Sequence, residues 1–311
     1  MTNLASAITL DELDPAADRL EPSRVRPVGA SDFLAVGDVV ADKFVVRAKL
    51  GEGGMGQVWE AHDRTLGRRV AVKVAHPSKM AALHREARAL AVLRHPGIVS
   101  VYGIGEHAGV PYVVMEHISG PTLQAHIESR RREGGFPIDE AIDILAAVAD
   151  ALAVVHQAGM AHRDVKPANV MLAPHGHVVL TDFGIFQPEI EVAAGLQCAG
   201  SPPYLAPEIF AMKVTPGQLY LVDVYALGVL AFELLTGVLP YDDENVMKIL
   251  WLHGNAPVPD PAALRPGLPP RLADLVREML EKDPRARAQD MEEISFRLRH
   301  ARSRAPMPSR P

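Results

Sequence analysis

His162-Arg163-Asp164-Val165-Lys166-Pro167-Ala168-Asn169 is the stretch on which the reading of this chain turns. Apolar residues stop just before it, at Val154, Val155 and Met160, and resume just after it with Val170, Met171 and Leu172. A stretch this polar between buried segments is a loop held on a rigid scaffold, where catalytic groups tend to sit. It carries a carboxylate at Asp164, an ammonium at Lys166 and a carboxamide at Asn169. Pro167 fixes one φ between them and biases Lys166 toward an extended conformation. A carboxylate can orient and deprotonate an attacking hydroxyl, an ammonium can steady a moving phosphate, and an amide oxygen can ligate Mg²⁺. The set suits phosphoryl transfer.

Partner motifs lie on both sides. Downstream, Val178-Val179-Leu180 reads as a short strand, and Asp182-Phe183-Gly184 follows it. Upstream, Phe44 to Leu50 reads as a strand running into Gly51-Glu52-Gly53-Gly54-Met55-Gly56-Gln57-Val58. Glycines let backbone N–H groups approach phosphates closely. The spacing Gly51-x-Gly53-x-x-Gly56 also occurs in dinucleotide-binding folds, but those need a helix to start here. Val58-Trp59-Glu60-Ala61 looks instead like a second strand. In the next strand, Val70 to Val74, a period of two puts Val70, Val72 and Val74 on one face and Ala71 with Lys73 on the other. The spacing predicts a helix over Met80–Arg94, with Leu83, Ala87 and Leu90 on its inner stripe and Glu86 among them. A glutamate on an apolar stripe needs a partner, and Lys73 is the obvious one. Pro96-Gly97 marks a turn, and Ile98–Gly105 with Val110–Met115 reads as a hairpin. Leu123 to Arg132 reads as a short helix ending at Gly134-Gly135, Ile138–His156 as a long amphipathic helix, and Leu219–Leu235 as an apolar helix that contains Asp223.

His-Arg-Asp-Val-Lys-Pro-Ala-Asn resembles the catalytic loop of eukaryotic-type Ser/Thr protein kinases. Gly-Glu-Gly-Gly-Met-Gly-Gln-Val-Trp is similar to the bacterial branch in particular. The resemblance covers about 260 of the 311 residues, from near Lys43 to near His300. It implies an α+β, two-lobed fold: a small β-rich N-lobe with one helix over 37–117, and a large, mainly helical C-lobe over 118–300. It implies ATP and Mg²⁺ as cofactors and protein substrates with Ser/Thr acceptors, since the tyrosine-specific members generally lack a lysine at the position of Lys166. By the same resemblance Asp164 orients the acceptor and Lys166 steadies the transferred phosphate. Lys73, paired with Glu86, holds the α- and β-phosphates, while Asn169 and Asp182 hold the metal. The nucleotide would lie among Leu50, Gly51, Gly53, Gly56, Val58, Ala71, Lys73, Met115, Glu116, Ile118 and Met171, with backbone groups of Glu116 and Ile118 on the adenine edge. Glu208 of Ala206-Pro207-Glu208 would pair with Arg287, and Asp223 would bond the backbone at His162 and Arg163. Ser201 would bridge the catalytic loop to the substrate-binding shelf. The Lys73–Glu86 interval, thirteen residues, is shorter than the family's usual one, so the helix should begin late or be truncated.

Composition agrees with a globular protein. The chain is 48% hydrophobic and 23% charged, enough to bury a sizeable core. Its net charge of −6 gives nothing for nucleic acid to bind. A single cysteine, Cys198, rules out an internal disulfide and points to a reducing, cytoplasmic setting. The first residues lack the basic start of a signal peptide, and no apolar run is long and charge-free enough to span a membrane. Residues 1–36 read as a disordered leader and 301–311 as a flexible tail. From Phe183 to Gly200 there is no Ser, Thr or Tyr, and Gln197 stands where the family's phosphosite usually lies. The expectation is a segment held without phosphate, with Glu189 or Glu191 supplying charge for Arg163. Two rival readings make discriminating demands. A scaffold that keeps the fold without the chemistry would lack a reactive residue, yet Lys73, Glu86, Asp164, Asn169 and Asp182 are all present. A small-molecule phosphotransferase on a related fold would lack Ala206-Pro207-Glu208.

Overall fold

The structure is a computed structural model that describes residues 33–53, 56–130, 136–183, 201–215 and 217–302. The expectations for Gly54, Met55, Arg131, Arg132, Gly134, Gly135, Gly184, Glu189, Glu191, Gln197 and Cys198 fall outside those residues, as do those for most of the leader and the tail.

Alternating apolar residues build the first lobe as an antiparallel sheet of β1 (Val39–Val40), β2 (Phe44–Gly53), β3 (Gly56–Asp63), β4 (Arg68–Val74), β5 (Val101–His107) and β6 (Val110–Glu116), in spatial order β1-β2-β3-β4-β6-β5. Gln57, Trp59, Ala61 and Asp63 of β3 are buried, and the residues between them are partly open, the period of two that a sheet with one covered face imposes. The covered face packs Trp59, Ala61, Val70, Val72 and Val74 with Phe44 and Leu34. Leu34 therefore belongs to this lobe, and the packed chain begins before the boundary expected at residue 37. Phe33 N donates to Gln57 Oε1 at 3.1 Å, tying down the same segment. Four apolar residues, Phe33 to Val36, are too short a run to show a period, so the sequence reads as leader there.

Strand β2 continues three residues beyond the expected end at Leu50. The glycine turn is itself zipped: Gly51 pairs with Val58, Glu52 with Gln57 and Gly53 with Gly56. Gly56 has φ +145°, and a Cβ there would sit 2.0 Å from the Val74 carbonyl oxygen, so only glycine lets β3 lie this close to β4.

Helix α1 (Met80–Val92) lies between β4 and β5 in sequence and buries Leu83, Glu86, Ala87 and Leu90, the predicted stripe. It follows a 3₁₀ turn at Pro77–Lys79 and stops at Val92, short of the expected Arg94, because Leu93 turns extended (φ −82°, ψ 134°) ahead of Pro96. The strand expected from Ile98 starts at Val101. Ile98 instead bridges Leu180 of the other lobe.

The second lobe is mainly helical. Helix α2 (Leu123–Ser129) is capped by Thr122 Oγ1 on Ala125 N at 3.1 Å. It ends before the expected Arg132. Helix α3 (Ile138–Gln157) delivers the catalytic loop, after which β7 (Val170–Ala173) and β8 (His177–Leu180) pair in register Val170 with Leu180. A short helix α4 (Pro207–Phe210) precedes α5 (Leu221–Thr236), whose first twelve residues are all buried. A helix apolar all round runs through the middle of a lobe rather than along its surface. Around it stand α6 (Val246–Asn255), α7 (Pro261–Leu264), α8 (Pro270–Met279) and α9 (Met291–His300). No helix among the described residues is long and apolar enough to cross a membrane.

Candidate active site

Strand β4 and helix α1 carry Lys73 and Glu86 to one point. Lys73 Nζ lies 3.0 Å from Glu86 Oε1 and 3.3 Å from its Oε2. The helix starts at Met80, as expected, and the contact forms across the thirteen-residue interval. The same ammonium reaches across to the second lobe, 2.9 Å from Asp182 Oδ1. Burial alone would push the lysine down, but the Asp182 and Glu86 carboxylates hold its pKa above the ordinary value. Burial pushes the Glu86 carboxyl up, opposed by Lys73 and reinforced by the negative charge of Asp182. Burial also disfavours the charge on Asp182, but Lys73 overrides it and holds that carboxyl below the usual range.

The catalytic loop is closed by its own side chains. Asn169 Nδ2 donates to Asp164 O at 2.8 Å and to Asp164 Oδ2 at 2.9 Å. Lys166 Nζ lies 2.7 Å from the same Oδ2. With Nδ2 engaged, Asn169 keeps its amide oxygen as an acceptor, and Asp182 keeps its second carboxylate oxygen. These are hard oxygen donors of the kind Mg²⁺ takes. Among the described residues no group of three or more His, Cys, Asp or Glu is placed to hold a metal ion.

The loop is hung from the lobe's core by one buried carboxylate. Asp223 of α5 accepts from His162 N at 2.8 Å, from Arg163 N at 2.7 Å and from His156 Nε2 at 2.8 Å. Burial disfavours this charge, but the donors, His156 first, hold the carboxyl below 3.8. The backbone bonds were expected from sequence, whereas the His156 contact was not. His156 ends a long helix and faces a residue 67 positions away, a distance no local pattern spans.

The ring of His162 was also missed. Asp164 N donates to its Nδ1 at 3.2 Å, so Nε2 carries the proton and donates to Thr181 O at 3.1 Å. The ring packs against Phe183, centroids 4.3 Å apart, and joins the catalytic loop to the segment that bears Asp182. Burial lowers its pKa, which keeps the imidazole neutral.

The expected nucleotide residues fall on β2, β3, β4 and β6 of the first lobe, at Ile118 just beyond β6, and on β7 of the second. Leu50, Gly51, Gly53 and Gly56 form the zipped turn, Val58 pairs with Lys73, and Ala71 pairs with Met115 at the end of β6 beside Glu116. Ile118 and Met171 rest, partly buried, on the core of the second lobe. Glu208 and Arg287 form a bidentate pair, Nη1 to Oε1 at 2.6 Å and Nη2 to Oε2 at 2.7 Å. Ser201 O accepts from Tyr204 N at 2.9 Å, which starts the 3₁₀ turn Pro202–Tyr204.

The protein kinase domain family matches residues 44–296. The chain belongs to the protein kinase family. It is 36% identical to the serine/threonine-protein kinase PknA of Mycobacterium tuberculosis over 81% of this chain and 59% of PknA. It is 34% identical to a probable serine/threonine-protein kinase PknB of Lactococcus lactis, over 84% of this chain and 42% of that protein. The chain thus spans well under two thirds of the length of these curated relatives. Among solved structures it is similar to the PknI kinase domain of M. tuberculosis, with a TM-score of 0.68 and 30% identity over 86% of this chain and 100% of that one. These likenesses agree with the α+β, two-lobed architecture.

Proposed function

We propose that the chain transfers the γ-phosphoryl group of ATP to serine or threonine hydroxyls of proteins, with Mg²⁺ as the metal. The observation that carries this reading is the meeting of Lys73, Glu86 and Asp182 across the cleft, with Lys73 Nζ 3.0 Å from Glu86 and 2.9 Å from Asp182. A phosphate chain laid along that line would meet a fixed cation on one side and metal ligands on the other.

In the proposed reaction Lys73 binds the α- and β-phosphates and Glu86 keeps it in place. Asp182 and Asn169 would hold the metal, which would supply positive charge to offset that of the phosphates. The acceptor hydroxyl oxygen attacks the γ-phosphorus, the bond to the β-bridging oxygen breaks, and the hydroxyl proton passes to Asp164. Lys166, 2.7 Å from Asp164 Oδ2, steadies the moving phosphoryl group. The zipped turn at Gly51, Gly53 and Gly56 covers the phosphates. Leu50, Val58, Ala71, Met115 and Met171 enclose the base, whose edge takes backbone bonds from Glu116 and Ile118. Ser201 joins the catalytic loop to the acceptor shelf. ATP as donor and the single cysteine favour the cytoplasm as the compartment.

The test is Asp164→Asn. Transfer to a basic protein acceptor should fall by about 10²–10⁴, the usual contribution of a positioned base. ATP binding and the unfolding midpoint should change little. Near wild-type transfer by the purified variant would remove Asp164 from the mechanism.

A further inference from the structure

Helix α1 carries Glu86 inward and an open, basic face outward. The inner stripe Leu83, Glu86, Ala87 and Leu90 packs toward β5 and β6. Ala81, Arg85, Arg88 and Val92 recur at helical spacing and form one line on the opposite side. All four are exposed, Val92 by 72%. Lys79 at the start of the helix and Arg94 just past its end are exposed as well. Glu86, turned inward, is the only carboxylate between His76 and His95, so nothing in this stretch offsets the outward charge. The start of α1 lacks negative charge in a second way. Its first turn holds no acid, and Lys79 at its cap gives no side-chain hydrogen bond to the open N–H groups. A helix N-terminus favours carboxylates, and a cation there opposes the dipole.

The chain's own first residues bring the missing sign to that place. Phe33 N bonds Gln57 Oε1, on a strand residue that pairs with Val74. The Phe33 ring stands 6.4 Å from the ring of His76, which opens the 3₁₀ turn Pro77–Lys79 leading into α1. Residues 1–32 therefore join the described fold at the foot of α1. From Met1 to Asp18 they hold Asp11, Glu12, Asp14 and Asp18, and no Lys or Arg. Leu10 and Leu13 bracket the first two of these acids. The stretch from Asp14 to Phe33 reaches up to roughly 60 Å when extended, and α1 is about 20 Å long, so the acids can reach any turn of the helix. Tethered this way, they face the helix at an effective concentration of about millimolar, enough for a weak contact to form.

We propose that the line Ala81, Arg85, Arg88 and Val92 is a docking site for the chain's own N-terminal segment. The carboxylates of Asp11, Glu12 and Asp14 answer Lys79, Arg85 and Arg88. The contact steadies α1 in the position from which Glu86 reaches Lys73, 3.0 Å away. Its effect on rate rests on the phosphotransfer reading, whereas the docking itself does not.

The experiment uses four full-length proteins. They are wild type, a leader reversal (Asp11→Lys, Glu12→Lys, Asp14→Lys), a face reversal (Arg85→Glu, Arg88→Glu) and the two reversals combined. Hydrogen exchange of the α1 amides and kcat/KM for ATP are measured on each. Either reversal alone should speed exchange across Met80–Val92 by about three- to tenfold, the worth of two or three exposed ion pairs, and lower kcat/KM by a like factor. The combination should return both toward wild type. Salt at about 1 M should bring wild-type exchange to the level of the reversals. In wild type, carbodiimide should couple Lys79 Nζ to a carboxylate of residues 11–18 within one chain.

Unchanged exchange in the leader reversal overturns the proposal. So does a face reversal that the leader reversal fails to rescue, which would mark local damage to α1. Coupling of Lys79 only between chains would give the face to a second copy and overturn it too. If the face reversal does not fold, the leader reversal, which alters no residue of the described fold, decides together with the coupling. Rescued exchange with kcat/KM unmoved throughout would overturn the support of Glu86. If the exchange pattern and its rescue appear but wild type transfers no phosphate, the phosphotransfer reading fails and the docking stands.

Discussion

Substituting Lys73 and Glu86 singly and together tests whether they act as one unit. The side chains are 6% and 9% exposed, so the contact is little screened by water. Charge-assisted hydrogen bonds contribute about 1.5–3 kcal/mol each. Asp182, 2.9 Å from the same ammonium, remains as a partner when Glu86 is lost. The coupling between Lys73→Met and Glu86→Ala should therefore be about 2–3 kcal/mol, roughly 30–150-fold in kcat/KM for ATP. The double variant should be little worse than Lys73→Met alone. The assay is kcat/KM for ATP on the four proteins at fixed Mg²⁺.

A pH series on the stability of Lys73→Met adds an independent check. The Glu86 carboxyl already stands above 4.5, raised by burial and by Asp182 and restrained by Lys73. Removing Lys73 releases it further upward. Above pH 4.5 the folded variant then binds more protons than the unfolded chain does. By linkage its stability falls as pH rises through that window, so the variant looks least damaged on the acid side. Additive losses within about 0.5 kcal/mol, or a variant whose stability rises with pH there, would refute the shared interaction.

Two further outcomes are expected. Arg287→Met should destabilise the fold by about 3–5 kcal/mol, because it strands the buried Glu208 carboxylate. It also leaves the carbonyls of Leu221, Glu281 and Lys282 without this donor. Glu208→Ala leaves the guanidinium on those carbonyls and on the Tyr225 face and should cost less, and urea midpoints in the reverse order would contradict this. Activity should also survive phosphatase treatment, since Phe183 to Gly200 contains no hydroxyl and the Tyr204 hydroxyl is held by Glu233. Phosphate should be found elsewhere, for example on Ser23, Ser31 or Ser78. Loss of activity on dephosphorylating Ser201 or Tyr204, restored by rephosphorylation, would show the opposite.

What could be read from sequence had a local signature. Glu86 betrays itself as a charge on an apolar stripe, and the structure buries it with Leu83, Ala87 and Leu90. Lys73 shares a strand face with Ala71, and the glycine turn is followed by β3 rather than by a helix. The Asp223 and Glu208–Arg287 contacts came from the resemblance, because nothing local joins residues 79 positions apart. Element ends were read less well, for physical reasons. The glycine turn zips into β2, the helix with Glu86 is cut short by an extended Leu93, and Leu34 finds cover in a lobe assembled from residues far along the chain. His156 and the ring of His162 gave no signal. Each is an ordinary apolar-helix or loop residue until tertiary packing supplies its partner.

Those unsignalled histidines bear on how the fold makes a site. Arg163 and Asp182 both sit in the left-handed backbone region, at φ 69° and 51°. A non-glycine residue held there costs of order 1–3 kcal/mol and persists only where its surroundings over-determine it. For Arg163 the restraint is explicit: its N–H and that of His162 are both spent on Asp223, whose charge is fixed in turn by His156. For Asp182 it is the grip of Lys73 on its carboxylate, with His162 donating to Thr181 O just before it and packing on Phe183 just after. One strained residue, Arg163, directly precedes the carboxylate assigned as base, Asp164, and the other, Asp182, itself bears the carboxylate assigned to the metal. The aim of those carboxylates is thus set by the buried α5 helix as much as by the loops that carry them.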